Sequence, residues 1–187
     1  GALEHRVAAS VDEAMEYFAG MEVLHQAGWQ ARGQVGAFAN PAFRPFHERL
    51  IAEGMPRGAV RLSRVSAGGR PIGYLYNFVH RDWIGFYLSG FAYEQDSKAK
   101  PGLVSHYLCA ERYLKSGRKV YDFMAGQNRY KSSLGTPGAT MLTLVLQKPR
   151  PKLLLESALR WGKSEIVDRL RQRSKPAAGA TPEADAG

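Results

Sequence analysis

The feature that most limits what this chain can fold into is a change of period near residue 93. Residues 59–92 carry three β signals in succession. The first, 59–65, alternates apolar and polar, while 72–80 (IGYLYNFVH) and 83–92 (WIGFYLSGFA) are rich in aromatic and branched side chains. Ala67-Gly68-Gly69-Arg70 and Arg81-Asp82 read as turns. Connections that short exclude crossovers, so the three strands are expected to form an antiparallel meander. A polar stretch over 93–101 follows, then a helical pattern over 102–116 closed by Gly117 as a C-cap. Residues 119–124 (KVYDFM) and 141–147 (MLTLVLQ) return to β. This order implies a mixed α/β fold, with a mostly antiparallel sheet and one crossover helix after its central strand.

Upstream, residues 11–27 form a helical pattern in which Ala14, Met15, Phe18, Met21, Val23 and Leu24 recur at the right spacing, with Ser10 or Asp12 as the cap and Gly28-Trp29 as the stop. Residues 31–42 read as a loop. A second helix over 43–53 aligns Phe43, Phe46, Leu50 and Ile51, and Gly54-Met55-Pro56 ends it. The organisation expected is a globular body over 1–147, a basic amphipathic helix within 148–173 and a disordered tail over 174–187 that has no large apolar residue.

Charge and cysteine content narrow the function classes. The net charge is +9, from 26 Lys and Arg against 17 Asp and Glu. The stretch 148–175 holds nine basic and three acidic residues, so it supplies +6 of that excess and leaves the body only mildly basic. A nucleic-acid groove across the domain is therefore not expected. The basic helix (Leu153, Leu154, Leu155, Leu159, Trp161, Ile166 and Leu170 among its cations) would suit a partner or an anionic membrane face as a peripheral contact. The single cysteine, Cys109, excludes an internal disulfide and fits a reducing, cytoplasmic compartment. Mid-helix and without a His beside it, Cys109 reads as a packed small hydrophobe. His5, His25, His47, His80 and His106 show no ligand spacing, so no metal site is expected. No signal peptide or membrane-spanning run is visible. A chain that starts Gly1-Ala2 is expected to be processed or to be part of something longer.

Several local runs carry a resemblance. Trp29-Gln30-Ala31-Arg32-Gly33, then Gly36-Ala37-Phe38, Phe46-His47 and Pro101-Gly102-Leu103 lead to Tyr121-Asp122-Phe123-Met124-Ala125-Gly126, which closes on Tyr130-Lys131. With the strand–helix order, these runs resemble the GNAT superfamily of N-acyltransferases over roughly residues 10–147. The closest resemblance is to its CelD-like and Fem-like branch of bacterial cell-envelope and polysaccharide pathways. The resemblance implies transfer of an acyl group from acyl-CoA, usually acetyl-CoA, to an amine acceptor such as an amino sugar, by direct attack. Branch members typically have two GNAT-like halves, and this chain matches the C-terminal one, so an N-terminal half is expected as a partner in the whole protein. A Fem-like transferase using aminoacyl-tRNA and a non-catalytic half-domain are the competing readings.

The candidate site follows. A helix start at Pro101-Gly102 presents free backbone N–H groups and a partial positive charge to a pyrophosphate, with Lys98 and Lys100 beside it and Leu103 in the same turn. In this fold the strand 83–92 splays from 119–124, and the backbone N–H groups of Ser89, Gly90 and Phe91 would polarise a thioester lying in the notch, with Gly90 marking a bulge. A carboxylate in an apolar strand needs a partner, which makes Asp122–Lys131 the expected pair. That pair fixes the 124–131 loop or orients the acceptor amine, with Tyr130 as proton donor to the leaving thiolate. Trp29, Arg32 and His80 are expected on the acceptor side, with Asp82 beside His80.

Overall fold

A computed structural model describes residues 1–93, 99–126, 129–136, 138, 142 and 144, with the side chains of 129 and 130 excluded. The chain divides into two units, 1–140 and 141–187, and nearly all described residues belong to the first. The strand expected over 141–147, the basic helix over 151–173 and the tail over 174–187 fall outside the described residues, apart from 142 and 144.

The elements run β1 (Leu3–Val7), α1 (Val11–Gln30), a 3-10 turn (Ala37–Ala39), α2 (Phe43–Gly54), β2 (Val60–Ala67), β3 (Arg70–His80), β4 (Trp83–Phe91), α3 (Pro101–Lys115), β5 (Val120–Asp122) and α4 (Arg129–Leu134). The five strands lie in chain order in one sheet. Neighbours β1 to β4 pair antiparallel and β4–β5 pair parallel across the α3 crossover. The meander forms as its turn residues dictate. Gly68 and Gly69 both adopt positive φ (58° and 79°), the geometry of a tight hairpin whose twist matches the strands.

Two elements differ from the sequence reading, each for a local reason, and a third boundary matches it. Strand β1 is unexpected because LEHRV is short and half exposed, and it reads as a strand only once paired with β2, Leu3 opposite Ala67. Helix α1 runs past Gly28 to Gln30 because Trp29 still packs one turn back on His25, ring centroids 5.8 Å apart. The stop is Gly33, at φ 67°. Helix α3 ends as anticipated at Gly117 (φ 85°), where the N–H groups of Gly117 and Arg118 return to the carbonyls of Leu114 and Tyr113.

Two cores result. One packs α1 and α2 on a sheet face through Phe18, Met21, Ile51, Leu62 and Tyr76; the other packs α3 on the opposite face through Leu75, Ile84, Phe86, Cys109 and Tyr113. His106 is fully buried in the second. Its ring meets Phe86 edge-on at 4.5 Å, Phe91 at 5.7 Å, Phe123 at 5.2 Å and Tyr121 at 6.1 Å, and its Nδ1 lies 3.0 Å from the Tyr121 hydroxyl. Burial, with Lys131 nearby, pushes the His106 pKa down to about 3. Burial and then Arg112 bring His5 down to about 4.

Such groups stabilise the fold only while neutral. The unfolded chain takes up their protons near pH 6.5 and the folded chain does not, so stability is lost as pH falls from about 6.5 towards the depressed values. Thermal denaturation from pH 7.5 to 4 should show a falling midpoint. His106→Gln should flatten that slope while costing about 1–3 kcal/mol at neutral pH.

Candidate active site

The candidate site is the free half of β4. Strand β5 pairs with β4 only from Trp83–Val120 to Gly85–Asp122, and the chain then turns away at Met124, held at φ 55°. From Phe86 to Phe91 no described strand covers that edge of β4. The two strands thus diverge as expected, and the ring cluster around His106 lies on the α3 face beneath the divergence.

The direction of each backbone group on this edge follows from pairing. Ala92 donates to the Ile72 carbonyl at 3.0 Å, and Gly73–Phe91, Tyr74–Gly90 and Leu75–Ser89 are opposed in register. Alternation then aims the N–H groups of Ser89 and Phe91 at the open edge and that of Gly90 at β3. Of the three N–H groups expected to act together, those of Ser89 and Phe91 therefore face the open edge and that of Gly90 does not. Nor does Gly90 mark the bulge. The register skips Tyr87, with Tyr76 opposite Leu88 and Asn77 opposite Phe86. Gly90 is instead where α1 crosses closest: a Cβ there would lie 2.4 Å from the Met21 carbonyl oxygen and 2.9 Å from the His25 nitrogen.

The bulge changes which side chains face which layer. Ile84 and Phe86 point to the α3 core, as Phe91 does by its contact with His106. Tyr87 and Leu88 both lie on the α1/α2 side. There the Tyr87 hydroxyl sits 3.0 Å from Nε2 of His47, whose Nδ1 is 3.5 Å from the Tyr76 hydroxyl. His47 is 3% exposed and boxed by the rings of Phe43, Phe46 and Phe18. Burial lowers its pKa, so it is a neutral acceptor beside a tyrosine that still reaches the surface. Neither residue was singled out as a site from sequence. The signal available was Phe86-Tyr87-Leu88, three large side chains in a row where alternation cannot hold.

His25 ties α1 to the same edge. Its Nε2 accepts from the Ala37 N–H at 3.4 Å, which leaves Nδ1 carrying the proton donated to the Ser89 carbonyl at 2.9 Å. Trp29 and Arg32 follow at the end of α1, the guanidinium 4.6 Å from the ring centroid. Arg32 also lies close enough to Tyr93 to act on its ionisation. The Tyr93 hydroxyl is 3.6 Å, and the Phe91 ring 3.2 Å, from where a Cβ on Gly102 would stand. Trp29 and Arg32 thus belong with the exit of β4 and the start of α3.

That start has the expected form. Pro101 opens α3 behind an exposed Lys100, and Gly102 and Leu103 fall in the first turn, where backbone N–H groups have no intrahelical acceptor. Lys98 lies outside the described residues. His80 is exposed at the β3–β4 turn, at the end of β4 remote from Phe91, and its neighbour Asp82 pairs with Lys119 at 3.0 Å. The structure therefore does not bring His80 to the site.

Asp122 and Lys131 are neighbours, but not the ion pair anticipated. The Asp122 carboxylate accepts from Trp83 Nε1 at 3.2 Å and from the Met124 N–H at 2.7 Å. The Lys131 ammonium donates to the carbonyls of Phe123, Met124 and Ala125 at 2.8, 3.4 and 2.7 Å. A turn that exposes successive carbonyls attracts the cation more directly than a carboxylate already holding two donors. Together they clamp the turn that carries β5 away from β4. Tyr130 lies in α4, and its side chain is outside the described residues. Cys109 is fully buried with its thiol pushed up to about 11 by burial, an unreactive packing residue. Among the described residues no group of His, Cys, Asp or Glu could hold a metal.

The described fold is thus a sheet that opens beside a bulged strand, with a helix N-terminus at its exit. The family model for the acetyltransferase (GNAT) domain matches residues 1–132. The chain belongs to that family, a family of acyl-CoA N-acyltransferases. Solved structures agree on the fold. A GCN5-related N-acetyltransferase from Ralstonia eutropha JMP134 superposes with a TM-score of 0.53 at 13% identity, covering 77% of this chain and 99% of that one. The aminoglycoside acetyltransferase meta-AAC0020 from an uncultured soil metagenomic sample, in complex with trehalose, gives 0.51 at 10% identity, covering 79% and 97%. No curated protein sequence matches the chain.

Gly90→Ala tests the close crossing of α1 over β4. A methyl group aimed at backbone atoms forces the helix outward, and a loss of about 2–3 kcal/mol is expected in chemical denaturation. An unchanged midpoint would refute the crossing.

Proposed function

We propose that this protein transfers an acetyl group from acetyl-CoA to a primary amine at the open edge of β4. The carrying observation is the pair of backbone donors, Ser89 and Phe91, aimed into the gap left when β5 ends at Asp122. The thioester carbonyl would accept from one of them, so the charge that grows on its oxygen during attack meets a fixed dipole. The pyrophosphate would lie on the first turn of α3 at Pro101, Gly102 and Leu103, with Lys100 adjacent and Arg32 across from it beside Tyr93; Lys98, two positions earlier in sequence, is assigned to the same anion.

In the reaction the amine nitrogen attacks the carbonyl carbon, the C–S bond breaks, the nitrogen sheds a proton and the CoA thiolate gains one. Tyr87 and His47 are suited to the first proton. The tyrosine lies on the α1/α2 face of β4, and neutral His47, 3.0 Å from its hydroxyl, stands to receive what the hydroxyl passes on. Tyr130, just before Lys131 in α4, is our assignment for protonating the thiolate. Asp122 and Lys131 act on chemistry only by holding the turn that keeps the gap open.

An amino sugar or related envelope precursor is the acceptor class we favour, on the resemblance of the 121–131 run to the CelD-like branch. The aminoglycoside acetyltransferase named above, a protein of the same fold whose name gives an aminoglycoside as its acceptor, supports that reading.

Acetyl-CoA titrated by calorimetry should bind the wild type. Gly102→Ala, which only crowds the Phe91 ring, should retain binding within about tenfold, whereas Gly102→Asp should abolish it by repelling the pyrophosphate. If the wild type itself ignores acetyl-CoA, the proposal fails. Once an amine substrate is in hand, Tyr87→Phe should lower kcat by roughly 10²-fold with little change in acetyl-CoA affinity.

A further inference from the structure

At the opposite end of α3 from the coenzyme site lies a cavity of about 390 Å³ whose charged lining, among the described residues, is entirely cationic. Arg61 from β2, Arg112 from the last turn of α3 and Arg118 from the segment after it all border it, together with Tyr113, Ser116 and the apolar wall at Val7. No described carboxylate lines it, and none of the three arginines forms an ion pair among the described residues. Arg61 and Arg112 converge closely enough that both act on the buried Tyr113 hydroxyl, and Arg112 also acts on His5.

The ordinary reason for cations at a helix C-terminus does not account for them. The final carbonyls of α3 are already satisfied by the chain itself: Arg112 by the Ser116 N–H at 3.0 Å, Leu114 by the Gly117 N–H at 3.0 Å, and Tyr113 by the Arg118 N–H at 3.0 Å and the Ser116 hydroxyl at 2.8 Å. One guanidinium, that of Arg118, reaches the Arg81 carbonyl, which lies on the β3–β4 turn and not in the helix. Gathering like charges from separate elements is unfavourable unless a counter-charge shares them. The guanidinium fork matches the oxygens of a phosphate, and a cavity of this size suits a small ligand.

We infer that this cavity binds a compact phosphate dianion, free inorganic phosphate or a small phosphomonoester, held by the guanidiniums of Arg61, Arg112 and Arg118 with the Ser116 hydroxyl at its rim. It is separate from the coenzyme site, which lies at the α3 N-terminus, and α3 is the element the two have in common.

The test is a titration of the isotope-labelled full chain with inorganic phosphate, then with glycerol 3-phosphate, at constant ionic strength, followed by backbone amide resonances. Saturable shifts are expected at Ser116, Gly117 and Arg118. Arg61→Gln combined with Arg112→Gln should weaken binding by at least about tenfold, and Arg61→Lys, which keeps the charge but not the fork, should fall between. Gly102→Asp should leave these shifts intact, so failure here and failure of the coenzyme site are told apart. Without phosphate, Arg61→Gln should be no less stable than the wild type, since it relieves repulsion. Shifts confined to Gly102 and Leu103, equal affinity in the double variant, or no saturable shift at Ser116 would each overturn the inference. Should the double variant not fold, Arg61→Lys binding phosphate as tightly as the wild type would do the same.

Discussion

The structure depends on a wedge of rings between two strands that begin as neighbours and do not remain so. His106 reaches from α3 into the angle where β4 continues and β5 turns off, in contact with Phe86 and Phe91 on one strand and Tyr121 and Phe123 beside the other. A sheet left to itself would zip the two edges together, because each unpaired N–H and C=O gains by pairing. The fully buried His106 ring with its partly buried aromatic neighbours under the fork, and the turn at Met124 clamped by Asp122 and Lys131, make that closure sterically costly. The opening is thus a packed feature of the fold that exists before any ligand arrives, which is what preorganised catalysis needs.

Much of this was legible in the sequence because it is local. Gly68-Gly69 and Arg81-Asp82 dictate the hairpins by themselves, and Gly117 ends α3 through its own backbone freedom. The start of α3 at Pro101 needed only helix-terminal chemistry. What escaped was information that exists only after pairing. Strand β1 is defined by its partner. The bulge at Tyr87 is a property of two strands in register, and placing it at Gly90 mistook a close helix crossing for a break in the ladder.

The same limit applied to side-chain partners. Asp122 and Lys131 were expected to pair with each other, because sequence shows charges more readily than backbone carbonyls. The turn over Phe123, Met124 and Ala125 therefore took the lysine that had been matched to the aspartate. His47 was visible as part of the Phe46-His47 run and as a histidine without a metal-binding neighbour, not as a site residue. Its meaning came from Tyr87, 3.0 Å away and 40 positions on.

The bulge at Tyr87 has a bearing on how β4 can change length. Delete Tyr87 and the strand becomes regular with the register beyond it kept, since Leu88 already stands opposite Tyr76. Absorb the extra residue into the ladder without shortening the strand and everything beyond it slips by one position and flips faces. Phe91 would then face α1, at the layer where Gly90 now sits because even a methyl group meets backbone at 2.4 Å, and the donors now aimed into the gap would turn towards β3. The extra residue is a phase shift written into the ladder. It keeps Phe91 on the α3 side with Ile84 and Phe86, so this stretch can lose the extra residue but cannot take it into the ladder.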